Sequence, residues 1–118
     1  MTSASIKDLE KIVQTNVRMI EDFSYYAITD HGQVWTNITK KWKQRHFSSD
    51  QHRLHRVILS KHGKQYSFYM HRLVLAAFVG PCPLGMQACH NDGDPANNHV
   101  SNLRWDTPLN NSRDKQKH

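Results

Sequence analysis

The stretch "QACHNDGDPANNHVSNLRWDTPLNN", Gln87–Asn111, decides the fold. It gathers two histidines, three aspartates, one cysteine and a run of asparagines, with few large apolar side chains. Two readings compete: a surface loop of good turn formers, or a site that fixes a metal ion and a base. "MQAC" ahead of His90 suits a short strand. In "NLRWD", Leu103 and Trp105 fall on one face and Arg104 on the other. "NDGDPANNHVS" between them is rich in Gly, Pro, Asn and Asp, hence a compact loop. Thr107 is an apt N-cap and Pro108 an apt first helical residue. Strand, loop, strand and helix, folded back, bring three residues to neighbouring junctions: His90, Asn102 and Asn111.

Those residue types suit phosphate chemistry. A histidine accepts a proton from water near neutral pH. An asparagine carbonyl accepts a hydrogen bond from the other imidazole nitrogen and fixes its tautomer. An oxygen donor at a helix N-terminus stands where the backbone dipole already favours a phosphate. A hard divalent cation completes such a set by polarising a phosphoryl oxygen. "DGDPANN" mimics the start of a calcium loop, but it lacks the sixth-position glycine and the twelfth-position acid, where Leu103 stands, so that reading is rejected.

Upstream, "MHRLVLAAFVG" reads as a core helix, with Leu73, Val74, Ala76, Ala77 and Phe78 as its apolar stripe and Gly80-Pro81 as its stop. Before it, "YAIT" and "QVWT" flank the turn "DHG", and "HRLHRVILS" and "KQYSFYMHR" flank "KHG". The middle third is therefore a small antiparallel sheet of hairpins. Trp35 and Trp42 read as packing residues. Ile6, Leu9, Ile12, Val13, Val17 and Ile20 fall near helical spacing, and the pattern predicts one helix over Ile6–Ile20, capped by Ser3 or Ser5. The chain thus divides into an N-terminal helix (1–22), a basic antiparallel β module (23–70) and a third unit (71–118).

The charge distribution narrows the function. The 118 residues carry a net charge of +6. Residues 1–30 are net acidic, whereas between His31 and Arg72 nine cations face Asp50 alone. Concentrated positive charge attracts a polyanion and speeds its encounter. The expected partner is a nucleic acid, with Lys40, Lys41, Lys43, Arg45, Arg53, Arg56 and Arg104 as contacts; a solubilising surface is the rival reading. No apolar run approaches the ~20 residues that cross a bilayer, and the N-terminus lacks a secretory pattern, so a cytoplasmic protein with no membrane association is expected. Cys82 and Cys89 read as thiols, since no C-x-x-C pair supports structural zinc. His71 reads as a capping or sheet-bonded residue. His99 lies near the proposed site, and Trp105 reads as core.

"MHRLVLAAFVGPCPLGMQACHNDGDPANNHVSNLRWDTPLNN" resembles the HNH endonuclease family, through "HRLV", "GPCP", "CHNDGD", "NN", "NLRW" and the asparagine in the following helix. "YYAITDHGQVWTNITKKW" resembles the β module that precedes such domains in phage and mobile-element nucleases. The resemblance implies an α+β protein: a small antiparallel β module plus a ββα-metal (His-Me finger) nuclease motif. It implies metal-dependent hydrolysis of DNA, as a nick or a double-strand cut, in a phage- or mobile-element-encoded protein. His90 would be the general base, Asn102 would orient it, and Asn111 would help hold a divalent ion, Mg²⁺ or Mn²⁺, with Zn²⁺ or Ni²⁺ as softer choices. Many relatives carry an Asp or Asn ligand just before the histidine; here Cys89 stands there. Because a thiolate prefers softer ions, Cys89 leaves three readings: a softer metal, binding through water and Asn111 alone, or a weakened enzyme. Asp92 and Asp94 are either substitute ligands or loop formers. Two further functions stay open: a non-catalytic DNA-binding protein that keeps the scaffold, and a protein partner engaged through the N-terminal helix.

Overall fold

A computed structural model describes residues 5–111. The chain runs α1 (Ile6–Val13), β1 (Val17–Ile20), β2 (Phe23–Thr29), β3 (Val34–Thr36), β4 (Lys43–Arg45), β5 (Ser48–Ser49), β6 (His55–Lys61), β7 (Lys64–Tyr69), α2 (Met70–Phe78), β8 (Gln87–His90) and β9 (Leu103–Asp106). A 3-10 turn, Val100–Asn102, precedes β9, and a helical turn at 108–111 follows it. The strands form three antiparallel sheets, β1-β2-β3-β4, β5-β6-β7 and β8-β9. This is the α+β architecture expected, and the hairpins fall where "DHG" and "KHG" placed them. Among the described residues no helix is long and apolar enough to cross a membrane.

The N-terminal helix is shorter than its apolar spacing predicts. Ser5 and Asp8 form a capping box, but the helix ends at Val13, with Gln14 in the left-handed region. Val17–Ile20 is instead an edge strand, with Val17 opposite Thr29. The cause lies at Thr15 and Asn16. Both side chains hydrogen-bond the Asp30 carboxylate, the second at 3.3 Å, and the Asp30 N–H donates to the Asn16 carbonyl at 3.1 Å. Short polar side chains of this kind compete with helical backbone bonding. Val17 and Ile20 are buried at the two ends of the strand while Arg18 and Met19 are exposed, a spacing of three that a helix and a short strand can both satisfy.

Leu9 of α1 packs with Val17 and Ala27, flanked by Trp35 and Trp42, and the Trp42 indole N–H donates to the Ser5 carbonyl at 2.7 Å. The larger core joins Tyr26, Ile28 and Val34 of the first sheet, Val57 and Leu59 of the second, and Leu103 of the third to Met70, Leu73, Val74 and Leu75 of α2. Each such aliphatic side chain stabilises the fold by about 1.5–3 kcal/mol on burial. The Ser60 N–H donates to the Tyr26 hydroxyl at 3.0 Å across the first two sheets. Helix α2 starts directly from β7 and touches all three sheets. It therefore fixes the short β8-β9 hairpin to the basic sheets.

Candidate active site

His90 is the last residue of β8 and faces Leu103, the first of β9, so the loop 91–102 must close over a two-strand gap. The Asn91 N–H donates to the Asn102 carbonyl at 2.7 Å and closes the ring. Asp92 organises its interior. Its carboxylate accepts from the Asn97 amide at 2.8 Å, the Asp94 N–H at 2.8 Å and the Asn102 amide at 2.9 Å. These bonds, Asn97's first, push its pKa down to about 2. The Asn102 amide also donates to the Asn97 carbonyl at 2.9 Å, and its oxygen accepts the Asp92 N–H at 3.1 Å. Asp92 and Asp94, which caps the Ala96 N–H at 3.0 Å, are thus bonded as loop formers.

The imidazole of His90 is held by other residues. Its Nε2 lies 2.8 Å from the Asn98 amide oxygen. One of its faces stacks on His71, at 4.8 Å between ring centroids and 12° between planes. His71, the second residue of α2, is only 7% exposed. Burial, then the neighbouring His90 and Arg72, hold it down at about 4. It therefore meets His90 as a neutral ring near pH 7. The orienting contact expected of Asn102 falls to Asn98, while the side-chain bonds described for Asn102 clamp the loop. Sequence offered one signal for Asn98, the paired asparagines "NN"; its burial comes from contacts distant in sequence.

Cys89, His90, His71, Arg72, Tyr69 and Asn111 line one cleft of about 470 Å³. Asn111 reaches it from the helical turn at 108–111, where Thr107 caps the Asn110 N–H at 3.3 Å and the Asn111 N–H donates to the Thr107 carbonyl at 3.0 Å. The cleft thus unites three of the four residues singled out by the motif. Cys89 is 2% exposed, with its thiol 3.6 Å from the Gln87 carbonyl. Among the described residues no three His, Cys, Asp or Glu side chains converge as a metal cage. The motif residues that share the cleft with His90 bring one amide oxygen, of Asn111, and one sulfur, of Cys89. That set fits a divalent ion that keeps water and substrate oxygens as its other ligands, and it suits a borderline ion better than a hard one.

Lys40, Lys41, Lys43, Arg45, Arg53 and Arg56 are all exposed. Arg45 donates to the Ile58 carbonyl at 3.3 Å, and Arg56 donates to Ser67 at 2.9 Å while lying 5.3 Å over the Tyr69 ring. Arg104 is half-buried, bonded to Asp106 at 2.9 Å and to Asn91. His99 caps the Ser101 N–H at 3.1 Å.

A family model described as HNH endonuclease matches residues 68–113, the span that holds α2, β8, the loop and β9. Residues 68–113 belong to the HNH endonuclease family. Over 83 residues the chain is 34% identical to DNA endonuclease I-HmuI of Bacillus phage SP01, covering 70% of this chain and 47% of that protein. It is 31% identical over 104 residues to the uncharacterized HNH endonuclease L247 of Acanthamoeba polyphaga mimivirus, covering 86% and 26%. A solved structure titled "DNA binding and cleavage by the HNH homing endonuclease I-HmuI" superposes with a TM-score of 0.80 at 29% identity, over 87% of this chain and 59% of that one. The HNH segment and the sheets before it thus recur together in that structure, and the chain spans about half the length of the phage relative.

Proposed function

We propose that the protein is a metal-dependent DNA endonuclease with His90 as its general base. The observation that carries this reading is the convergence of His90, Cys89 and Asn111 on one cleft. With Nε2 engaged by Asn98, the other imidazole nitrogen is the one left to take a proton from water. The water oxygen attacks phosphorus, its proton passes to His90, and the P–O3′ bond breaks with the electron pair leaving on O3′, which solvent protonates. When bound at Asn111 beside Cys89, a divalent ion supplies charge neutralisation at the phosphoryl and leaving oxygens. Exposed Lys40, Lys41, Lys43, Arg45, Arg53 and Arg56, with Arg104 at the hairpin, hold the phosphate backbone.

Supercoiled plasmid incubated with Mg²⁺, Mn²⁺, Zn²⁺ or Ni²⁺, and with EDTA, tests the reading. Nicked or linear product is expected with at least one ion and none with EDTA. His90→Ala is expected to cut about 10²–10⁴-fold more slowly, the usual contribution of a general base, with DNA affinity nearly unchanged. Wild-type cleavage by His90→Ala removes His90 from the mechanism. A DNA gel shift with no cleavage under any ion favours the non-catalytic scaffold, to which the buried thiol at position 89 points.

A further inference from the structure

Asn98 is a buried polar residue outside the family's three motif positions. Only 4% of it is exposed, and both ends of its amide are engaged. The oxygen lies 2.8 Å from His90 Nε2, and the nitrogen lies 3.3 Å from His55 Nδ1. His55 belongs to β6, and its ring stacks on Phe47 at 3.8 Å and 16°. Burial, then His90, hold the His55 pKa below the usual imidazole value, with Asp94 opposing them. In its neutral Nε2–H form His55 offers Nδ1 as an acceptor, and at 3.3 Å that form suits the Asn98 N–H. The backbone beneath is closed as well. Gly32, in the β2–β3 turn at φ +85°, lies so close that a Cβ there would stand 2.6 Å from the Asn98 Cβ. The Val100 N–H donates to the Asp30 carbonyl at 2.7 Å and ties the same loop to the same turn.

We infer that Asn98, clamped between His55 and Gly32, is the positioning residue that selects the Nε2–H tautomer of His90 and leaves Nδ1 as the basic nitrogen. A side-chain amide presents its acceptor oxygen at one end and its donor nitrogen at the other. With its nitrogen committed to His55 Nδ1, only its oxygen is left for His90, and an oxygen there requires a proton on Nε2. Asn102, the motif asparagine, fixes the loop on which Asn98 rides. The inference rests on His90 being the base.

Nitrogen-15 spectra of the histidine rings, recorded on the full chain without metal at about pH 8, above the usual imidazole range, read the tautomer directly. The wild type is expected to show His90 as Nε2–H, Asn98→Ala a mixture of tautomers, and Asn98→Asp the Nε2–H form again, since a carboxylate also accepts. With plasmid, Asn98→Ala is expected to lose about tenfold or more in kcat, part of the ~10²–10⁴ supplied by a general base. KM should move little, and Asn98→Asp should recover much of the loss. A cooperative urea transition in each variant separates positioning from failure to fold; if Asn98→Ala does not fold, the wild-type and Asn98→Asp spectra decide. A wild-type Nδ1–H tautomer overturns the inference. So does an Asn98→Ala protein with an unchanged tautomer and kcat. If His90→Ala cuts at the wild-type rate, the underlying reading fails instead, whatever the spectra show.

Discussion

At the scale of single residues, Cys89 carries the sharpest prediction. It lines the cleft beside His90 yet is almost wholly buried, so Cys89→Asp places a hard, charged oxygen where a soft sulfur now sits. The expected outcome is a lower Tm without metal, because a buried carboxylate lacks a partner, with Mg²⁺ restoring the Tm and raising Mg²⁺-dependent nicking. A destabilised variant with no gain from Mg²⁺ removes position 89 from the ion's surroundings. His71 predicts a pH effect. Its folded pKa of about 4 lies below the ordinary 6.5. As pH falls from 6.5 to 4 the unfolded chain takes up a proton that the folded chain refuses. Stability is therefore full above pH 6.5 and declines by roughly 3 kcal/mol across that window. Asp92, held at about 2, extends the loss in the same direction below its ordinary 3.8. Urea unfolding at pH 7 and pH 4.5 should show a smaller drop in His71→Phe than in the wild type; equal drops would assign the acid sensitivity elsewhere. Of the candidate site, His90 and Asn111 are legible from local order (strand end, then helix start), and Cys89 from the family resemblance, as the residue just before His90. Asn98 is not, because what distinguishes it is contact with His55 and Gly32, more than forty positions away.

At the scale of elements, the β2–β3 hairpin acts on the cleft through Gly32. A side chain there must both tolerate a left-handed φ and displace Asn98. Gly32→Ala is expected to destabilise the fold by about 1 kcal/mol or more through the backbone alone, and to slow cleavage beyond what its Tm accounts for. Gly63→Ala, at φ +75° with open space around it, provides the control: a similar backbone penalty with cleavage intact. Equal effects of the two on cleavage would show that Gly32 acts only through stability. The hairpins and α2 could be read from alternation, turn glycines and an apolar stripe because those signals are local. The end of α1 could not be read from periodicity. Val17 and Ile20 fit both periods, and Thr15 and Asn16 are withdrawn from the helix by Asp30, a residue the helical spacing says nothing about.

At the scale of the whole molecule, the positive charge lies along the β1–β7 region while the proposed base lies on the hairpin that α2 ties to it. Replacing Lys40, Lys41, Lys43 and Arg45 together is expected to flatten the slope of log K against log salt by roughly 3–4 on duplex DNA, with single-turnover cleavage at saturating enzyme nearly unchanged. An unchanged slope would make this cluster a solvated surface. The same division predicts that binding and cleavage respond to different mutations, except at the contacts that join the hairpin to the sheets.

Those contacts bear on how such a chain tolerates gene shuffling. Gly32 and Asn98, His55 and Asn98, and Asp30 and Val100 are pairs of neighbours encoded far apart. A crossover between codons 56 and 97 separates all three pairs at once. The HNH segment of this chain is thus a poor cassette on its own: moved into a foreign scaffold it takes the proposed base along and leaves behind the residues that face Asn98. Homologous recombination that exchanges residues 30–100 as one block preserves them. Lineages that mix such nucleases are accordingly expected to show joints outside that block, near the N-terminal helix or beyond β9.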